Sequence, residues 1–517
     1  MPSGTTRCSR ESVLDGFREL RGESADEFRE LCGESADEFR GESLCELPAM
    51  TPSYDVRRAD WLIVFGVVVY LLITRASDKV CIAVLLAVAI CCGISVYRSY
   101  LSRPVAILLL VIFAFGAINS RRALSEFGDV QTGEYAGYAK VMGDPRNIGV
   151  ATRIAIEIES DRFVVYAYGR PAWRLAGLRV GEHVFVRGQR EKFERVDESR
   201  WIAQHIKGKF LIEFVGEQRL VAAPLFRSAQ RVRDLVSQGA QSFGFADRTL
   251  FTGLVIGDDT QQPDSMIDAF RKSGLAHLVA VSGQNVSFVL AALSPLLLRL
   301  RNRMRIFATI GVLAWFVVIT RVEPSVVRAA TMAGLAFLTV AVGRPTRTMR
   351  LIALTVLLTV IVDPLLAWSV GFFMSVGATC GLCLGAAPLT RIIRRPKWLA
   401  QLVGATVAAQ LGVMPVVIWI FGLPSATGII ANVLAVPVAG LVMLFGLPLA
   451  LCAGLIVDLG LESFATTLMW PIQVGVRWVW WVAEIFARLR FEGITNIALW
   501  VGVCIGIIVL RHRSSSV

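Results

Sequence analysis

The sequence predicts a polytopic α-helical membrane protein with an inserted small β-barrel and about 10–12 membrane segments, some broken or re-entrant. Hydrophobic residues make up 55% and charged residues 18% of the 517 residues, and the mean hydropathy is +0.59. Apolar runs that approach the length of a membrane span recur before residue 122 and after residue 247. Between them, residues 128–222 alternate apolar and polar side chains, the period of a β-strand.

The chain begins with an acidic segment that contains a direct repeat. Gly22–Arg29 recurs as Gly33–Arg40, and two copies are too few for a repeat architecture. High acidity and few large apolar residues predict a disordered tail over residues 1–55. Three apolar runs follow, near residues 59–77, 80–97 and 104–120, and predict three transmembrane segments in a region spanning 56–122.

Residues 128–222 predict a small barrel of five or six strands. Arg153–Ile158, Arg162–Tyr168 and Glu182–Arg187 each alternate apolar and polar residues, and Gly177, Gly181 and Gly188 supply turn signals. That number of strands in fewer than a hundred residues fits a small closed sheet. No cysteine occurs between residues 93 and 379, so this insert has no disulfide framework.

An amphipathic helix is predicted over residues 223–246, after the barrel. Its apolar positions are Leu225, Ala229, Val232, Val236 and Phe243. Two interpretations stay open: the helix lies at the bilayer surface, or it joins two domains.

Residues 247–513 form a second membrane region whose charges predict its orientation. The loops near 299–305, 344–350 and 391–397 are basic, whereas those near 321–324, 363–367 and 422–427 are short and poor in charge. The positive-inside rule places the basic loops in the cytoplasm. Counting spans then places the barrel outside and both termini in the cytoplasm.

A polar segment with glycines at both ends precedes one of these spans. Gly274 and Gly283 bracket a piece too short to cross a bilayer, which predicts a broken or re-entrant helix beside a path. Polar groups at membrane depth are costly unless they face protein or water. The candidate path residues of this segment are Gly274, His277, Ser282, Gly283, Gln284 and Asn285.

Five later residues are further candidates for the path. Arg328 either meets a phosphate in transit, pairs with Glu323, or extends to the membrane interface. Asp363, before Pro364, also fits a helix N-cap. Asn432 either lines a channel or ties helices together. Ser375 and Gln410 complete the set.

These residues lie in motifs that resemble those of the ComEC competence-protein family. A leucine- and glycine-rich approach (Leu250, Gly253, Leu254, Gly257, Asp258) leads into a Gly-x-x-His-Leu-x-x-x-Ser-Gly core from Gly274 to Gly283. Further matches are Arg328-Ala-x-x-Met332, Asp363-Pro364, Gly371-Phe-x-x-Ser375, and Asn432 before Pro437. The sequel here is Gln284-Asn285-Val286, whereas the family has Leu-His-Val or similar.

The resemblance implies an inner-membrane channel for single-stranded DNA uptake in natural transformation. It implies an OB-like fold for residues 128–222, and OB folds bind single strands on aromatic and basic surfaces. The candidate DNA contacts there are Arg162, Tyr166, Tyr168, Arg170, Trp173 and Arg174. The alternative for aromatic residues in strands is a place in the core.

The resemblance also implies partners and absences. The expected partners are single-stranded DNA, the lipid bilayer, a separate DNA receptor, a cytoplasmic ATP-driven translocase and a separate nuclease. Some family members carry a metallo-β-lactamase-like domain, but this chain has four His and no His-x-His-x-Asp-His cluster. We therefore expect a short form that is not an enzyme, with no cofactor, metal site or catalytic residue.

Two rival functions remain open from the sequence. A secondary transporter for a small anion would use the same Arg328 and carry an inverted repeat, which the sequence does not display. A membrane-embedded hydrolase would need a clustered acid, base or metal set. Cys380-Gly-Leu-Cys383 lies in an apolar run without a second pair nearby and fits helix packing.

Overall fold

The structure is a computed structural model that describes residues 58–98, 102–194, 201–220, 223–279, 283–343, 346–392, 396–491 and 493–515. The predicted acidic tail and its repeat lie outside these residues, and so does Ser282.

Three apolar helices form the first part of the described chain. They are α1 (Arg58–Arg75), α2 (Asp78–Tyr97) and α3 (Arg103–Gly128). The helices α1 and α3 approach closely at Gly116. A Cβ atom at this position would overlap the ring of Tyr70, so the absence of a side chain permits the contact. The hydroxyl of Ser120 donates to the carbonyl of Thr74 at 2.7 Å, which satisfies a buried polar group across the same contact.

The inserted domain is a closed β-barrel. Its elements are β1 (Gly133–Val141), β2 (Arg146–Ile148), β3 (Ala151–Ile158), β4 (Asp161–Ala167), α4 (Gly169–Ala176), β5 (His183–Lys192) and β6 (Ile206–Leu220). The strands follow the order β1-β5-β6-β4-β3, and β1 pairs with β3 to close the circle of five. The short β2 extends the sheet beside β3, and β4 runs parallel to β6. A helix between the third and fourth barrel strands completes an OB-like arrangement.

Helices make up the rest of the described chain. They are α5 (Pro224–Gly239), α6 (Phe245–Ile256), α7 (Asp264–Lys272), α8 (Ala276–Val279), α9 (Gly283–Leu297), α10 (Asn302–Ile319), α11 (Pro324–Ala341), α12 (Thr348–Val362), α13 (Val370–Ile392), α14 (Lys397–Phe421), α15 (Gly428–Asp458), α16 (Glu462–Arg488) and α17 (Gly493–Ser515). The largest apolar core is built from α5 to α11, α15 and α16.

The predicted fold class is confirmed. Among the described residues, six helices are long and apolar enough to cross a membrane: α2, α3, α10, α13, α14 and α15. Five shorter apolar helices accompany them, and two of these carry the residues of greatest interest, α9 and α11. The protein is therefore a multi-pass membrane protein with one small closed barrel.

The predicted amphipathic helix corresponds to α5, which packs against α15. Ala229, Arg233, Val236 and Gly239 are buried along one side of α5. A Cβ atom at Gly239 would lie 2.2 Å from the carbonyl oxygen of Ala450 in α15, so the backbones touch. This packing is that of a helix that joins the barrel to the membrane helices.

Candidate functional site

The candidate site begins at a turn that only glycine fits well. Helix α7 ends before Gly274, whose φ of +76° lies in the left-handed region. The N–H of Leu275 donates to the carbonyl of Phe270 at 2.9 Å, closing a helix-ending motif. A Cβ atom at Gly274 would lie 3.3 Å from the Cα of Gly428, so the turn rests against the start of α15.

Asn432 lies beneath this turn and ties two elements together. Its side-chain amide donates to the carbonyl of Gly428 at 2.7 Å and approaches that of Gly274 at 3.5 Å. The side chain is buried, so its polar atoms depend on these partners. These contacts place the Asn432 amide between the first turn of α15 and the turn at Gly274.

Gln410 approaches the same turn from α14. A Cβ atom at Gly428 would lie 3.8 Å from its amide nitrogen. Its carbonyl oxygen is buried and has no hydrogen-bond partner in the part of the chain that the structure describes. A buried hydrogen-bond acceptor without a partner costs free energy. The carbonyl oxygen of Gln410 could therefore accept a hydrogen bond from a ligand or from water.

Polar side chains lie on both the buried and the exposed face of α9 near its start. The amide of Asn285 is buried and donates to the carbonyl of Leu254 in α6 at 2.9 Å. Gln284, Ser287 and Ala291 are exposed and lie three and four residues apart, on one face of the helix. His277 and Gly274 are also exposed. The segment therefore presents small and polar groups to accessible space, while Asn285 anchors it.

Arg328 lies on α11 where α9 and α13 meet it. Only 6% of its surface is exposed. Its guanidinium donates to the hydroxyl of Ser375 and to that of Thr379 at 3.4 Å, and its Nε has no partner in the described structure. A Cβ atom at Gly283 would lie 3.3 Å from the guanidinium, so the glycine lets α9 approach the charge.

Among the described residues, no carboxylate pairs with this guanidinium, whose partners are the hydroxyls of α13. The alternative in which Arg328 pairs with Glu323 is therefore not the arrangement in this structure. Hydroxyls orient a guanidinium but do not cancel its charge. A buried cation with neutral partners favours an anion beside it, and a guanidinium fits a phosphate well.

Asp363 lies away from this group, at a contact with the barrel. One carboxylate oxygen accepts from the N–H of Leu365 at 3.0 Å, so it caps the 3₁₀ helix Pro364–Trp368 as the Asp-Pro pattern predicts. The other lies 2.9 Å from Nε2 of His205, which precedes β6. The structure thus brings together Gly274, Gln410 and Asn432, and separately Gly283, Arg328 and Ser375.

A second barrel contact, which the sequence analysis missed, is a network of four charges around the buried side chain of Arg233. Asp144, after β1, lies 2.9 Å from Arg233 of α5 and 2.8 Å from Arg321, which precedes α11. Arg233 also lies 3.0 Å from Asp258 and donates to the carbonyls of Ile256 and Ile319. The overlooked signal was a charge on the apolar face of α5, since Arg233 lies four residues after Ala229.

The pKa values at this contact follow from burial and neighbouring charges. Burial alone would raise the pKa of Asp144, but Arg233 and Arg321 hold it below its ordinary value. Burial raises the pKa of Glu323, and the nearby charge of Asp259 raises it further while Arg146 opposes both. Arg321 and Val322 have left-handed φ values of 61° and 59°, so the turn that leads into α11 is strained.

The six predicted DNA contacts of the barrel are divided between β4 and the region of α4. Arg162 and Tyr166 lie on β4, where Arg162 pairs with Glu157 at 3.7 Å and Tyr166 packs against the cluster that contains Val164 and Trp201. Tyr168, Arg170 and Trp173 are exposed around α4. Arg174 pairs with Glu217 of β6 at 2.9 Å. Among the described residues, no group of three or more His, Cys, Asp or Glu side chains could hold a metal ion.

Comparisons with known proteins locate the chain among relatives. A family model described as "Competence protein" matches residues 254–512, about half of the chain. ComE operon protein 3 of Bacillus subtilis (strain 168) is 29% identical over 187 residues, which are 36% of this chain and 24% of that protein. The match thus spans about a quarter of that relative's length. No solved structure matches the chain.

Proposed function

This chain belongs to the competence protein family, and from that premise we propose that it forms the inner-membrane channel through which single-stranded DNA enters the cytoplasm during natural transformation. The chain acts in this proposal as a channel, not as an enzyme. A receptor, an ATP-driven translocase and a nuclease are then separate proteins.

One observation carries the proposal: a buried arginine that has no counter-charge among the residues that the structure describes. Arg328 has 6% of its surface exposed and is held by hydroxyls of α13. A cation at membrane depth is costly and marks a path for ions or substrates. Because its partners are neutral, its attraction for a passing phosphate is undiminished. A single such site lets a strand pass without trapping it, since many phosphate contacts together bind tightly.

The exposed polar groups beside Arg328 supply a wall for the proposed path. Gln284 and Ser287 share one face of α9, and Gly283 allows that helix to lie against the guanidinium. Amides and hydroxyls bond water and nucleic acid in any sequence, as an uptake channel requires. Ser282 belongs to the same proposed wall by its place in the sequence.

The contacts of the barrel support the proposed orientation. His205 contacts Asp363 and Asp144 contacts Arg321, and both membrane-domain partners belong to loops poor in charge. The basic loops lie at the opposite ends of the same helices, so the positive-inside rule favours a barrel outside and termini inside.

Replacing Arg328 by alanine tests the proposal. The variant is produced in a transformable bacterium whose own family member is deleted, and cytoplasmic uptake of labelled DNA is measured at matched protein levels. Hydrogen bonds to charged groups contribute enough that uptake should fall by about tenfold to a hundredfold. Arg328→Lys keeps the charge but not the planar fork, so its uptake should be intermediate.

Arg271→Ala is the matched control, because Arg271 is an exposed cation near the same segment, paired with Asp268. Its uptake should equal that of the wild type. Normal uptake by Arg328→Ala, together with a defect in small-anion transport, would favour the transporter alternative and remove Arg328 from a DNA path.

A further inference from the structure

OB-like domains commonly bind oligonucleotides on one particular face. In this barrel, other side chains of the same domain cover that face. That face lies on the second and third barrel strands, which are β3 and β4 here. Phe163 and Val165 of β4 point into the barrel core, so Val164 between them points outward. Val164 is nevertheless buried, because Phe193, Trp201 and Ile206 pack over it. The rings of Phe193 and Trp201 stack with centroids 6.1 Å apart.

Another face of the barrel carries aromatic rings on three neighbouring strands, of which Tyr138 and Phe214 are exposed and Phe185 is half-buried. Tyr138 of β1 lies directly opposite Phe185 of β5, and their rings meet edge to face with centroids 5.8 Å apart. Arg187, two residues beyond Phe185, lies opposite Phe214 of β6. Tyr138 is 44% and Phe214 43% exposed, values that are high for aromatic rings in a small folded domain.

Small residues keep this face open. Ala136 lies opposite Arg187. A Cβ atom at Gly216 would lie 3.0 Å from the Cβ of Phe185, so Gly216 is the neighbour of that ring on β6 and adds no side chain. Adjacent strands are about 4.8 Å apart, so the rings form a short row across the sheet with room above them.

A groove continues the row towards α4. It has a volume of about 250 Å³, and its lining includes Trp173, Arg174, Gly216 and Glu217. Trp173 is 80% exposed. The guanidinium carbons of Arg174 and Arg187 lie 5.9 Å and 6.0 Å from the ring centre of Phe214. Cations therefore flank the rings at distances typical of cation–π contacts.

We propose that Tyr138, Phe185, Phe214 and Trp173 form a stacking surface for single-stranded DNA on β1, β5, β6 and α4. This inference rests on the proposed function for the identity of the strand. Every base has a π-face, so a row of rings binds any sequence. Arg174 and Arg187 supply charge complementary to the phosphates. Glu217 and Glu213 contact these arginines at 2.9 Å and 4.0 Å, but these exposed pairs are weak enough for phosphates to replace them.

The position of the surface suits a strand on its way to the membrane helices. Lys140, two residues after Tyr138 on β1, lies 5.7 Å from the ring of Phe226 at the start of α5. Asp144 follows four residues later in the charge network. The stacking surface is thus continuous with the contact that joins barrel and membrane domain.

The test compares exposed residues of the same barrel in the full chain, purified in detergent. Binding of a fluorescent mixed-sequence oligonucleotide of about 16 nucleotides is followed by anisotropy for Phe214→Ala, for Tyr168→Ala and for the control Val150→Ala, whose side chain is exposed in the turn between β2 and β3. Loss of one stacked base should raise the Kd of Phe214→Ala about tenfold. Phe214→Trp should bind like the wild type, and so should Val150→Ala. A duplex of the same sequence should compete poorly, because its bases are already stacked.

Each of the following results would contradict the proposed stacking surface. If Tyr168→Ala weakens binding and Phe214→Ala does not, the strand uses the contacts predicted from the sequence, and the proposed channel still stands. If Phe214→Ala reduces binding to anionic lipid vesicles but not to the oligonucleotide, the rings contact the membrane. If neither ligand is affected, the rings contact another protein or none. DNA uptake by the Arg328→Ala variant tests the proposed channel independently of these outcomes.

Discussion

Replacing Arg233 by alanine is expected to destabilise the folded chain by about 3–5 kcal/mol. Arg233 is 4% exposed and lies between Asp144 of the barrel and Asp258 of the membrane region. Its loss would leave two carboxylates short of a cation and two backbone carbonyls without their donor. Buried charges without partners are far more costly than exposed ones, because water cannot replace the lost contact.

The neighbouring Arg231 is the matched control. It belongs to the same helix and pairs with Asp458 at 2.8 Å, but its side chain is 63% exposed. Arg231→Ala should therefore change the free energy of unfolding by less than about 1 kcal/mol. Both values can be measured by unfolding in mixed detergent micelles. Equal costs for the two variants would show that the network does not hold the barrel to the membrane helices.

The same network has a defined pH dependence. The pKa of Asp144 lies below its ordinary value of 3.8, because Arg233 and Arg321 outweigh the effect of burial. A carboxyl with a lowered folded pKa stabilises the fold above its unfolded pKa, and this contribution disappears as pH falls through the folded value. The free energy that Asp144 contributes to the stability of the wild type should therefore be constant near neutral pH and shrink only below about pH 4, which unfolding of the wild type at a series of pH values measures.

Replacing Gly381 by alanine is the second change with a large expected effect. Helices α13 and α14 meet along glycines: a Cβ atom at Gly381 would lie 2.2 Å from the carbonyl oxygen of Ala408 and 2.9 Å from the Cα of Gly412. These are backbone atoms, so the whole helix has to move. Overpacking a close contact costs about 1–3 kcal/mol and at times more. The free energy of unfolding in micelles should fall by at least that amount.

Gly381→Ala should also reduce DNA uptake, because α13 carries the two hydroxyls that hold Arg328. Gly334→Ala is the control. Gly334 lies in α11, where no atom of the described residues comes within 4 Å of its Cβ position, so alanine there should leave stability unchanged or raise it by about 1 kcal/mol. If Gly381→Ala proves as harmless as Gly334→Ala, the close packing of α13 and α14 is not what positions the hydroxyls.

The fold class could be predicted because hydropathy and alternation are local properties. Apolar runs identify membrane helices without knowledge of their neighbours, and alternation over residues 128–222 identified the strands of the barrel. The cap at Asp363 was also predictable, since proline follows it directly. The glycine at 274 was singled out for its place in a motif, and the structure adds the left-handed turn as its physical reason.

The partners of the site residues could not be predicted, because they are distant in the sequence. Asn432 and Gly274 are 158 positions apart, and so are Asp363 and His205. Pairing depends on helix packing that no local pattern encodes. The barrel residues illustrate the same limit. Contiguous aromatic and basic residues drew attention to 162–174, whereas the exposed row combines three strands that are adjacent only in the folded barrel.

The proposed channel requires that the exposed face of α9 borders a water-filled passage beside Arg328. The most direct measurement is the reaction of single cysteines at Gln284, Ser287 and Ala291 with a membrane-impermeant thiol reagent, in a chain whose ten native cysteines have been replaced. Val286, which is buried on the other side of α9, serves as the control position. We predict that the three exposed positions react, that Val286→Cys does not, and that single-stranded DNA slows the reaction. Equal inertness at all four positions, with or without DNA, would contradict a wet passage at this helix.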